Sequence, residues 1–150
     1  MILQVGIGIA VTIVGMVIAV LLRRRNPEGP PRDAYPIPRQ LARADFPRPE
    51  ARWLVAYFSS QSCDSCQDLG PKVAVLESVE VATSELEFSV ARDLHERYDI
   101  SAIPMILVAD VEGVVHRAFV GATSATDLWA AVAEVRSPGS TPESDLGVVG

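Results

Sequence analysis

Two cysteines, Cys63 and Cys66, stand three apart in the run Ser59-Ser-Gln-Ser-Cys-Asp-Ser-Cys66, and the chain has no others. Thiols at that spacing can close into a disulfide or reopen. A structural bridge more often joins distant segments, because closing a long loop constrains the unfolded chain more. The pair therefore points to dithiol–disulfide chemistry. The attacking species in such exchange is a thiolate. If Cys63 begins a helix, unpaired backbone N–H groups and the helix dipole stabilise its charge. Cys63 is then the nucleophile, and Cys66, one turn further in, is the resolving thiol. Asp64, with Asp68 a turn later, either puts negative charge near Cys63, which raises its pKa and makes the disulfide a weaker oxidant, or simply favours the helix N-terminus and points into water.

Other chemistries find less support. His95 lies in a charged stretch and reads as solvated, and His116 alternates with Val115 as a water-facing strand residue. They form no zinc-site spacing with the cysteines, so no metal is expected. Two soft thiolates suit Cu(I), but no histidine or methionine adds a ligand at a clear spacing. The sequence has no nucleotide-binding glycine loop, and Trp53 and Trp129 read as core or rim residues.

The elements that must position the pair follow from periodicity. Trp53-Leu-Val-Ala-Tyr-Phe58 is a nearly continuous apolar run, as for a strand buried on both faces. Leu69, Val73 and Leu76 recur at helical spacing after Cys63. Val79–Thr83 reads as a second strand and Ala91–Tyr98 as a short charged helix. Met105–Ala109 and Val114–Val120 flank Asp110-Val-Glu-Gly113, a hairpin turn. Ser124, with Asp127 three residues on, caps a helix running to Val135. The order strand–helix–strand–helix–strand–strand–helix describes an α/β fold, a mixed β-sheet flanked by helices.

Outside this unit, expected over residues 51–136, the chain changes character. Residues 2–22 are almost wholly apolar and are followed by Arg23-Arg24-Arg25. About 20 apolar residues suffice for a transmembrane helix, and no charged n-region precedes the run as in a cleaved signal peptide. One uncleaved N-terminal transmembrane helix is expected. The basic flank places the domain on the cytoplasmic face, with the extracytoplasmic face as the alternative. Residues 23–50 form a basic, Pro-rich juxtamembrane linker with seven of the eleven prolines, a semi-rigid spacer. Its Gln40–Phe46 part is a candidate for a short element docked on the domain. Residues 137–150 read as a flexible tail.

The formal net charge of −6 is unevenly spread: residues 23–50 carry seven basic and four acidic side chains, residues 51–150 six and fifteen. The basic segment suits an anionic leaflet. The acidic remainder argues against nucleic acid as a partner.

Residues 51–136 resemble a thioredoxin-fold protein, in the manner of a membrane-anchored bacterial member. Cys63-Asp-Ser-Cys66 takes the place of the family's C-x-x-C after the first core strand. Pro71 matches the proline that kinks the active-site helix, Ile103-Pro104 the cis-proline loop, and Phe119-Val-Gly121 the end of the last strand. The resemblance implies that Ile103 and Pro104 hold the substrate, that the cofactor is none beyond the redox-active Cys63–Cys66 disulfide, and that the partner is a protein thiol or disulfide, or a membrane complex. It also exposes departures. Ser62 replaces the usual tryptophan, Asp64-Ser65 replaces Gly-Pro, and Tyr57 stands where a buried aspartate serves thioredoxin. A tyrosine, with its ordinary pKa near about 10, accepts a proton from Cys66 less readily than a carboxylate. The implied function is membrane-tethered thiol–disulfide oxidoreduction. The alternative is a redox-silent thioredoxin-fold subunit or interaction module of a membrane complex.

Overall fold

A computed structural model describes Gly15, Met16 and residues 35–139. The segments expected as a transmembrane helix and as a tail lie outside the described residues, apart from the helical Gly15 and Met16 and the first residues after the last helix. Among the described residues no helix is long and apolar enough to cross a membrane.

The elements run β1 (Trp53–Ser59), α1 (Asp64–Ala74), β2 (Val81–Glu87), α2 (Arg92–Arg97), β3 (Met105–Asp110), β4 (Val115–Val120) and α3 (Ala125–Arg136). The sheet order is β2-β1-β3-β4. β1 pairs with β2 in parallel and with β3 antiparallel, and β3 with β4 antiparallel. The mixed sheet flanked by helices is the architecture that the order of apolar periods implies.

Every residue of β1 is buried because helices or loops cover both faces of this central strand. On one face Trp53, Val55 and Tyr57 pack with Ile106 and Val108 under Leu69 and Val73 of α1 and Leu128 and Val132 of α3. On the other, Leu54, Ala56 and Phe58 join Met105, Leu107 and Ala109, with Leu41 and Phe46 from upstream. Burying a side chain of this size contributes about 1.5–3 kcal/mol, so the two layers hold the central strand from both sides.

Upstream of β1, the chain is fastened where β1 starts. Gln40 bridges Val114, and Leu41 N–H donates to Gly113 O at 2.8 Å. Gly113 sits at φ +83°, and a Cβ there would fall 1.9 Å from Leu41 O. The buried Arg43, in a 3-10 turn over Arg43–Asp45, donates to the carbonyls of Ala51 (2.9 Å), Asp110 (3.0 Å) and Arg48 (3.0 Å). Arg48 reaches on to the carbonyls of Ser78 and Val81 at the start of β2. Thus Gln40–Phe46, expected as a docking element, belongs to the packed unit.

Two expectations need correction. The second strand spans Val81–Glu87 rather than Val79–Thr83. Pairing begins where Trp53 meets Val81, and Val79 before it is 93% exposed. β2 is an edge strand, so its second half can carry Ser84, Glu85 and Glu87 around the buried Leu86 and still pair. His95 is buried, not solvated: it is 3% exposed, its Nε2 bonds Leu86 O at 2.8 Å, and Phe58 and Phe88 meet its ring edge-on. Its helix turns Ala91, Leu94 and Tyr98 inward at helical spacing, and His95 lies on that stripe.

Candidate functional site

The cysteines occupy the turn between β1 and α1. Cys63 is the N-cap residue of α1, with extended backbone, and Cys66 lies in its first turn. The turn is closed by Cys63 N–H donating to Ser60 O and Cys66 N–H to Cys63 O, each at 3.1 Å. The two sulfurs form a disulfide with Cα atoms 5.3 Å apart. Cys66 is buried at 5% exposure, whereas Cys63 is half-buried. The accessible sulfur therefore stands at the end of the helix where N–H groups are unpaired. This asymmetry is the one that nucleophile and resolving thiol require.

The neighbouring residues divide into three groups. Ser62, Asp64 and Ser65 are exposed around the pair. Ser65 Oγ lies 3.5 Å from Cys63 Sγ, while the Ser60 and Ser62 hydroxyls bond each other at 3.0 Å. Pro71 lies inside α1. Lacking an N–H, it cannot donate to Gln67 O, the carbonyl one helical turn back. Ile103 and Pro104, joined by a cis peptide bond, precede β3. Phe58 pairs with Met105, which puts them at the same end of the sheet as Ser59 and the cysteine turn. Pro104 O accepts from Gly121 N–H at 2.8 Å, tying the loop to the end of β4, and Ile103 is 37% exposed.

Tyr57 is fully buried beneath α1, and its hydroxyl donates to Cys66 O at 2.6 Å. Burial, reinforced by the negative charge of Glu85, pushes its pKa up to about 12. The phenol thus keeps its proton at neutral pH and acts as a brace on the turn that holds Cys66.

Glu85 is a residue that the sequence reading passed over, because the second strand was expected to end at Thr83. It lies beside Tyr57 in the parallel register, so both side chains share the face that α1 covers. Its Oε1 accepts from the buried Ser59 hydroxyl at 2.8 Å. A methyl group at Gly70 would lie 3.9 Å from its Oε2. The alternation of Val81, Thr83, Glu85 and Glu87 on one face was the available signal. A cavity of about 300 Å³ lies here, with Cys66, Ser59, Gln67, Glu85 and Glu87 in its wall. Glu87 is held below the ordinary carboxylate value chiefly by the Ser89 hydroxyl, with the N–H groups of Gln61 and Ser89 assisting. A larger hollow of about 390 Å³ runs along β4 beside Tyr35, Ile37 and Arg39, and contains neither cysteine.

No group of His, Cys, Asp and Glu among the described residues could hold a metal ion. His116 pairs with Asp110 at 2.6 Å, and Asp110 accompanies Trp53 at the end of β1 away from the cysteines.

Comparison with known proteins adds a family model described as Thioredoxin, which matches residues 44–134. No curated protein matches the chain. Among solved structures it is similar to a thioredoxin mutant from Halobacterium salinarum, with 22% identity, TM-score 0.50, 57% of this chain and 75% of that one covered. It is similar to thioredoxin O2 from Arabidopsis thaliana in its oxidized state, with 20% identity, TM-score 0.50, and 59% and 78% covered. The germline-specific thioredoxin Deadhead from Drosophila melanogaster gives 19% identity, TM-score 0.51, and 58% and 84% covered. At these identities the structural likeness is one of fold.

Proposed function

The chain belongs to the thioredoxin family, and from that premise we propose that it is a membrane-tethered thiol–disulfide oxidoreductase acting on a protein partner. The observation that carries the reading is the Cys63–Cys66 disulfide at the start of α1, one sulfur accessible and the other buried. Redox-active disulfides of this family need no further cofactor.

In the reducing direction, the Cys63 thiolate attacks a partner disulfide. A mixed disulfide forms, and one partner sulfur leaves as a thiolate that takes up a proton. Cys66 then attacks Cys63 Sγ, the bond between Cys63 and the partner breaks, and the Cys63–Cys66 disulfide closes. Two electrons pass from the dithiol to the partner, which ends as two thiols. Ile103 and Pro104 flank the partner segment, and proline contributes no N–H to compete at the sulfurs. The acidic turn around Asp64 disfavours a thiolate at Cys63, which supports a reducing to neutral poise.

The tether reading rests on the sequence: an apolar run over residues 2–22 followed by Arg23-Arg24-Arg25. Membrane anchoring of this kind, as in bacterial members of the family, puts the domain next to membrane-bound partners. The three arginines favour the cytoplasmic face. Two measurements on the full chain test the proposal. Cys66→Ser is expected to trap a mixed disulfide between Cys63 and its partner, and a Cys63→Ser chain that keeps full function would overturn the exchange reading. After reduction with a membrane-permeant thiol, an impermeant thiol reagent is expected to reach Cys63 only in opened cells. Labelling in intact cells would put the domain on the outer face.

A further inference from the structure

The resolving step needs Cys66 as a thiolate, yet Cys66 is 5% exposed. An ordinary thiol has a pKa of about 8.5, and apolar surroundings raise it. A proton must therefore leave a buried thiol near neutral pH. The residue directly below, Tyr57, already donates its own proton to Cys66 O. His95 lies on the other face of the sheet bonded to Leu86 O, and His116 is paired with Asp110 at the far end of β1. Asp64 and Asp68 are exposed on α1 and do not line the cavity beside Cys66.

Two carboxylates do line it, and their commitments differ. Glu87 accepts from Gln61 N–H, Ser89 N–H and the Ser89 hydroxyl, three bonds that anchor the turn after β1 and the loop after β2. Glu85 accepts one, from Ser59 Oγ, which holds the carboxylate on the α1 face. Its other oxygen faces Gly70, where an added Cβ would lie 3.9 Å from it, and Gly70 is one helical turn from Cys66 on the same side of α1. The cavity's volume of about 300 Å³ exceeds the roughly 30 Å³ that one water occupies in the liquid. Glu85 is exposed, so a proton taken up there can pass on to solvent.

We propose that Glu85 accepts the Cys66 proton across this cavity, with Ser59 as the residue that positions its carboxylate. The inference rests on the exchange reading above and adds the identity of the base. The Cys66 S–H bond breaks, and its proton is carried through water in the cavity to a Glu85 oxygen. The sulfur's electron pair forms the bond to Cys63 Sγ, and the partner's sulfur leaves with the pair of the broken disulfide. Glu85 then returns the proton to solvent. The base comes from the strand beside Tyr57 rather than from Tyr57 itself. The titratable groups facing Glu85 are Tyr57 on β1, Cys66 on α1 and Glu87 on its own strand.

The test uses the full chain in detergent, reduced, with an aromatic disulfide whose released thiolate is coloured. Attack by Cys63 releases the first equivalent, and resolution by Cys66 releases the second. In Glu85→Gln, which keeps the shape and the Ser59 contact, the first phase is expected to stay unchanged. The second should slow by about 10²-fold near pH 7, the lower end of general-base effects. The gap should close only at pH well above about 8.5, because burial has raised the thiol that must then ionise unaided. A second phase equal to that of the parent overturns the proposal. So does a slowing of the same size at every pH, which marks a structural effect. Absence of both phases in the parent chain defeats the exchange reading instead.

Discussion

The two ends of β1 lie about 20 Å apart on a seven-residue strand, and they use charge in opposite ways. At the end where the strand starts, the guanidiniums of Arg43 and Arg48 gather the carbonyls of Arg48, Ala51, Ser78, Val81 and Asp110. At the other end, Glu85 and Glu87 line a cavity that Cys66 also lines, and the phenol of Tyr57 bonds Cys66 O. Cations with five fixed donors can satisfy several carbonyls at once and so fix the backbone. Carboxylates only accept, which leaves them able to take a proton. The molecule fixes its backbone with cations at one end and gathers carboxylates beside Cys66 at the other.

Three substitutions can break that division. The largest effect on stability is expected from Arg43→Ala. It leaves three carbonyls without their charged donor and should cost about 3 kcal/mol in denaturant unfolding. Reaction of Cys63 with a disulfide, measured well below the melting temperature, should hardly change. A comparable loss of reactivity would show that the two ends are coupled.

Tyr57→Phe comes next. Loss of the hydroxyl bond to Cys66 O should lower stability by about 1 kcal/mol, or somewhat more because the carbonyl is left buried. The phenol's proton stays bound at neutral pH, so the pH profile of resolution should keep its shape. A changed profile would give Tyr57 a part in the proton step.

The smallest effect concerns acid. Asp45 is held below the ordinary carboxylate value by the Tyr98 hydroxyl first and by Arg97 second. A depressed carboxylate adds stability above its unfolded value, about pH 3.9, and loses it as pH falls through the lower folded value. Unfolding midpoints should therefore decline below about pH 4. Asp45→Asn should shallow that decline and cost about 0.5 kcal/mol at neutral pH. An unchanged or steeper decline in the variant would mean that the contacts from Tyr98 and Arg97 do not hold the Asp45 carboxylate down in the folded chain.

The site end was largely legible in the sequence. Strand periodicity led to Cys63, and helical spacing after it put Cys66 one turn inside α1. Glu85 escaped because an edge strand can carry polar residues and still pair, so hydrophobic pattern stops short of its end. His95 escaped because charged neighbours in sequence point elsewhere in space. The arginine end was illegible for a different reason. Arg43 and Arg48 bond to backbone carbonyls, which every residue possesses, so no partner residue type announces the contact. Only the folded path of the chain brings those carbonyls together.

The fastening of Arg39–Leu41 to Gly113–Val115 also decides where the domain would feel a pull. Tension on the chain upstream would enter through Leu41 N–H to Gly113 O, Val115 N–H to Arg39 O, and Gln40 Nε2 to Glu112 O at 2.6 Å. These bonds share the load at the start of β4, two strands away from β1, which leads into the disulfide turn. Behind them Arg43 acts as a second catch. A domain hung from such a point can be tugged without straining its sulfurs.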